Sequence, residues 1–116
     1  MDVYHIWCDL KEGTGDLDFC RNVERYLGHL KDRGDIADFR IMRRKLGLAP
    51  QALAEFHVMI EADDLAQLDR AFSSVAVRQD PIEEFHHAVV SHVRNLSFAL
   101  YRDFPDAVRE SGSERF

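Results

Sequence analysis

Two histidines, His5 and His57, carry the sharpest chemical signal in the sequence. Each sits in an apolar stretch, DVYHIWCDL and AEFHVMIEA. Imidazole titrates near pH 6.5, so it can take or give a proton under ordinary conditions. If the two stretches pair as antiparallel strands, the rings can meet across the sheet. The chemistry would then be general acid–base catalysis, with metal ligation the other use of imidazole. A third ligand would have to come from Glu55, Glu61 or the His86–His87 pair, so neither a metal nor another cofactor is expected. The basic run Arg40, Arg43, Arg44 and Lys45 adds a means of holding negative charge. On a strand, Arg40 and Arg44 share one face and Arg43 and Lys45 the other. Arg40 is the candidate to hold charge developing in a reaction, and Arg40 or Arg44 could grip a carboxylate or phosphate bidentately. Arg43 and Lys45 are expected to pair with the chain's own acids. Trp7, Met42 and Met59 share the histidine face and could floor an apolar ligand pocket, although plain dimer core is the simpler expectation.

The remaining candidates are weaker. His86 and His87 are adjacent on a helical segment and point about 100° apart, so one should be buried and the other solvated. His92 should be exposed, and no HExxH spacing is present. Cys8 alternates with Ile6 and should be buried, while Cys20 borders a helical apolar face. Neither has a base beside it, which argues against a thiol nucleophile. Two cysteines make neither a disulfide framework nor a zinc motif.

The elements that position these residues follow from periodicity. Residues 2–10 have strand composition. KEGTGD then breaks the chain, with Thr14 or Asp16 placed to cap a helix. Phe19, Val23, Tyr26, Leu27 and Leu30 recur with helical spacing, and Gly34 marks the stop. Residues 36–46 read as a second strand and 54–62 as a third with clean alternation. Asp63 or Asp64 caps a second helix carrying Leu65, Leu68, Phe72 and Val75. Asp80-Pro81-Ile82-Glu83 resembles a fresh helix start with Asp80 as cap, and a last strand covers about 95–102. The order βαββαβ predicts an α+β, ferredoxin-like antiparallel sheet of spatial order 4-1-3-2, with the helices on one face. That domain should span residues 1–105, with a polar tail over 106–116. Tyr4, Ile6, Cys8, Phe39, Ile41, Phe56, Val58 and Ile60 should face the helices. Val3, His5, Trp7, Arg40, Met42, Arg44, His57 and Met59 should face away.

Composition narrows the class. The chain has 116 residues, 46% hydrophobic and 31% charged, the balance of one globular domain. Fifteen Lys and Arg against 21 Asp and Glu leave a net charge of -6, which disfavours nucleic acid. No apolar run approaches the ~20 residues that span a bilayer, and no signal peptide opens the chain, so no membrane partner and a cytoplasmic setting are expected. The outward face is too apolar to be left in water, so a homodimer should cover it, two sheets face to face.

The segments YHIWCDL, YLGHLK, FRIMRRKLGL, AEFHVMIE, LAQLD, FHHAV and FALYRDFPD resemble a small bacterial family of uncharacterised proteins. The resemblance spans residues 1–106 and implies a dimeric ferredoxin-like α+β barrel, with no residue role to transfer. More distantly, the architecture is similar to antibiotic-biosynthesis monooxygenases, the EthD-like family and stress-responsive barrel proteins. Two functions follow as expectations. One is a homodimeric barrel that binds a small anionic or apolar ligand between sheet and helices or inside the barrel. Such a protein could be a cofactor-independent enzyme of monooxygenase or isomerase type, with His5 or His57 as base and Arg40 as charge holder. The other is a non-catalytic, stress-related or interaction protein whose barrel is a packed dimer core.

Overall fold

Loose alternation at the start of the chain forms β1 (Asp2–Leu10), the strand about which the fold is organised. A computed structural model describes residues 1–106, so the tail expected over 106–116 lies, Asp106 apart, outside the described residues. α1 (Asp16–Asp32) buries Phe19, Val23, Leu27 and Leu30, one stripe of the helical pattern. It ends as Gly34 takes φ +80, a left-handed conformation that costs glycine nothing. Its N-cap is Gly15, which makes no side-chain cap, so neither Thr14 nor Asp16 caps it; Asp16 is already the first helical residue.

β2 (Asp38–Arg43) is shorter than its apolar pattern suggests. Leu46 and Gly47 both take positive φ, and that turn leaves the sheet soon after Arg43. β3 (Phe56–Ala62) alternates buried with half-buried residues along its length. Asp64 caps α2 (Leu65–Ala76), its carboxylate accepting from the Gln67 N–H. α3 (Ile82–Val90) starts differently from expectation. Pro81, not Asp80, is the N-cap, and no side chain caps it. The proline supplies a preset φ, which leaves the acidic residues of the first turn to favour the helix through its dipole. β4 (Val93–Arg102) completes an antiparallel sheet of order β2-β3-β1-β4.

Cys8, Phe56, Val58 and Ile60 enter the core beneath the helices, with Tyr4, Ile6, Phe39 and Ile41 packed against it. The expected core is corrected at Phe72, which is 48% exposed, and Leu65 is also exposed. Both lie on α2, of whose apolar residues only Leu68 and Ala71 are fully buried. The helix-side residues of β4, Leu96, Phe98 and Leu100, are exposed as well. Among the described residues no helix is long and apolar enough to cross a membrane.

Candidate functional site

Strand parity places His5 and His57 on the sheet face opposite the helices. Their partners across the sheet are not each other. His5 stands opposite Met59, and His57 opposite Trp7, so the two rings meet on the diagonal. His5 Nδ1 and His57 Nε2 are 2.9 Å apart. The ring centroids are 5.1 Å apart and the planes differ by 24°. The rings therefore meet nearly edge to edge. That is the geometry of one shared proton, not of two lone pairs converging on a third point. Trp7 lies parallel to His57 at 4.4 Å and to His5 at 5.6 Å, and Tyr101 meets His5 edge-on at 5.0 Å. Burial holds His5 below its usual pKa; for His57 burial is reinforced by the neighbouring His5. The pair is thus neutral near neutrality, with one ring donating and the other accepting.

Arg40 shares this face but stands opposite Met59, two strands from His5. At about 4.8 Å per strand that is about 10 Å of sheet between the backbones. Met42 stands opposite His57. Arg44 reaches the Leu53 carbonyl at 3.4 Å. Arg43 points the other way and pairs with Asp16 and Glu55, its guanidinium over the Phe56 ring. Cys8 is buried, and burial with help from Asp9 pushes its thiol up to about 11, which removes it as a nucleophile. Cys20 bonds Glu24 on its own helix. Among the described residues no three His, Cys, Asp or Glu side chains gather as a metal site.

A second site lies under the helices, where an apolar cavity of about 350 Å³ separates sheet from helices. Tyr4, Phe72 and Phe98 stand at its exposed side. The Tyr4 ring meets Phe72 edge-on at 5.2 Å and lies parallel to Phe98 at 5.9 Å. Tyr26 from α1 and His86 from α3 line its wall, their rings T-shaped at 5.6 Å. His86 is half-buried, while His87 is exposed. Neither this cavity nor those beside the α1 N-terminus and the α2–α3 turn is lined by His5, His57 or Arg40. The sequence marks Tyr26 only as part of a helical stripe and His86 only as a source of a third metal ligand. The available signal was a polar-tipped ring within an apolar helical stripe: Tyr26 among Val23, Leu27 and Leu30, and His86 among Ile82, Phe85 and Val89.

The family model described as a family of unknown function (DUF6614) matches residues 1–116, and the chain belongs to that family. No curated protein matches the sequence. Several solved structures share the fold. A dimeric ferredoxin-like protein of unknown function from Jannaschia sp. CCS1 is 17% identical, with 89% of this chain and 100% of that chain covered, at TM-score 0.63. A protein from Arabidopsis thaliana is 9% identical over 93% and 100% of the two chains, at TM-score 0.67. A dabb family protein with a ferredoxin-like fold from Mesorhizobium loti is 18% identical over 88% and 95%, at TM-score 0.53. At these identities the likeness is one of ferredoxin-like α+β fold.

Proposed function

We propose that this member of DUF6614 is a homodimer whose subunits each bind an apolar small molecule in the cavity between sheet and helices. The cavity carries the reading. Its volume of about 350 Å³ falls within the usual range of ligand sites, and its walls are apolar with a few polar tips. A way in exists where Phe72, Leu96 and Phe98 are half exposed. The dimer rests on the opposite face, where Val3, Trp7, Met42 and Met59 lie among His5, His57, Arg40 and Arg44. A second copy would cover them sheet to sheet, as an α+β barrel, and the Jannaschia neighbour is described as dimeric.

Titration with N-phenyl-1-naphthylamine, an uncharged dye, tests the ligand reading. The folded protein should bind it saturably, one site per subunit, with a rise in fluorescence. Ala71→Trp fills the cavity from α2 and should abolish binding. Val75→Trp does so from a half-buried position and guards against misfolding of the first variant. Circular dichroism confirms that the variants are folded. No saturable binding, or binding unchanged in both folded variants, would overturn the reading.

A catalytic role for His5, His57 and Arg40, with Trp7, Met42, Met59 and Arg44 contacting a ligand, remains a second proposal. The observation favouring it is the 2.9 Å contact between His5 Nδ1 and His57 Nε2. It requires the second copy to enclose space around that pair.

A further inference from the structure

We infer that the helix-side cavity reads one neutral hydroxyl on an otherwise apolar, aromatic ligand, and that Tyr26 and His86 are the residues that bind it. This rests on the reading that the cavity takes small molecules, and it specifies their class. Three rings stand at the exposed side, Phe72 edge-on to Tyr4 at 5.2 Å and Phe98 parallel to it at 5.9 Å, and a further aromatic ring packs well against such a cluster. Deeper in, the walls are aliphatic side chains, the Phe19 ring and the weakly hydrogen-bonding Cys8 thiol, except where Tyr26 and His86 meet at 5.6 Å. A ligand's polar group can therefore be satisfied chiefly at that spot, and burying it elsewhere in the cavity would leave it unpaired.

The inventory of donors and acceptors selects the group. Burial, with Glu83 and Tyr4 adding to it, pushes Tyr26 up to about 12, so it remains a hydroxyl that donates. Burial also lowers the His86 pKa; nearby Glu83 opposes this, while Arg78 and His87 add to it. A neutral imidazole presents one ring nitrogen as an acceptor. A donor beside an acceptor matches a phenol or alcohol, which both accepts and donates. A carboxylate only accepts, would leave the imidazole acceptor unmatched, and would bring an anion among apolar walls near Glu83.

Three probes of one shape test this: naphthol, methylnaphthalene and naphthoate, each measured by displacement of the uncharged dye N-phenyl-1-naphthylamine from the full chain. Naphthol should bind at least about fivefold more tightly than either of the others, the gain of one to two hydrogen bonds. Tyr26→Phe and His86→Leu should each shrink that preference while leaving methylnaphthalene binding within about twofold. Equal binding of naphthol and methylnaphthalene, or a preference that survives both variants, overturns the hydroxyl-reading role and leaves the cavity's ligand function standing. If N-phenyl-1-naphthylamine itself fails to bind, both proposals fall together.

Discussion

His5 and His57 show how much chemistry depends on a single shared proton. Joined at 2.9 Å, the rings need one donor and one acceptor, so protonating the second ring removes the acceptor and sets two cations side by side. Their folded pKa values lie below the usual range, by burial for both and, second, by the neighbouring His5 for His57. The sign of the linkage follows. The unfolded chain binds more protons through the window below about pH 6.5, so the contribution of the pair is fully present above it and is lost as pH falls through the folded pKa values. His86 shifts in the same direction and adds to the slope. The denaturation midpoint in urea should therefore fall between pH 7.5 and 5.5, and His57→Gln should flatten part of that fall. Proton NMR of the imidazoles checks the cause. Resonances of His5 and His57 titrating at or above the ordinary histidine value would contradict it.

At the scale of elements, one irregularity protects the site. The pairing of β1 with β4 slips between Trp7 and Asp9. The extra residue lies in β4, where Asn95 takes φ 55 and donates to Asp9, whose other oxygen accepts from the Glu55 N–H. Because the slip follows Trp7, the parity of His5 is undisturbed. The carboxylate of Asp9 thereby ties the entry of β3 to the bulge, and those hydrogen bonds, the Asn95 one first, hold its pKa below the usual range. The two helices differ in how they load the sheet, and two substitutions measure it. Phe56 is buried and meets Phe19 edge-on at 5.1 Å, so Phe56→Ala should cost about 3–5 kcal/mol. Phe72 sits half exposed at the cavity mouth, and Phe72→Ala should cost only about 1 kcal/mol. Equal losses in chemical denaturation would mean that Phe72 is buried as fully as Phe56.

For the whole molecule the decisive question is what covers the outer face. Helices bury one side of the sheet, and the other presents Trp7, Met42 and Met59 beside histidine and arginine. A stable dimer would bury about 800 Å² per subunit there. Light scattering at micromolar concentration should give twice the chain mass. Trp7→Glu should return the monomer, because an unpaired carboxylate at the centre of such an interface costs several kcal/mol. A native monomer, or a Trp7→Glu dimer, would place the interface elsewhere. The two proposed sites sit on opposite faces of one sheet, so the substitution that splits the dimer should leave binding in the helix-side cavity intact.

The order of elements, the strand order and the division of β1, β2 and β3 into inner and outer faces were all legible in the sequence. The elements and their faces depend on local periodicity, period two for a strand with one buried face and 3.6 for a helix with one buried stripe, and the strand order follows from the βαββαβ succession. The caps were less legible. The Asp80-Pro81 signal matched a helix start in composition, yet Pro81 is the cap, since competing local arrangements share those residue types. Register and depth were decided only in three dimensions. His5 and His57 meet diagonally because the strand offset, a property of the paired strands, sets who faces whom. Phe72 lies at a mouth instead of in the core, and Tyr26 and His86 line one wall, because the packing of α1, α2 and α3 over the sheet leaves space there. Periodicity names the face of an element, but how closely that face is covered depends on side chains far apart in the chain, and no local pattern encodes that distance.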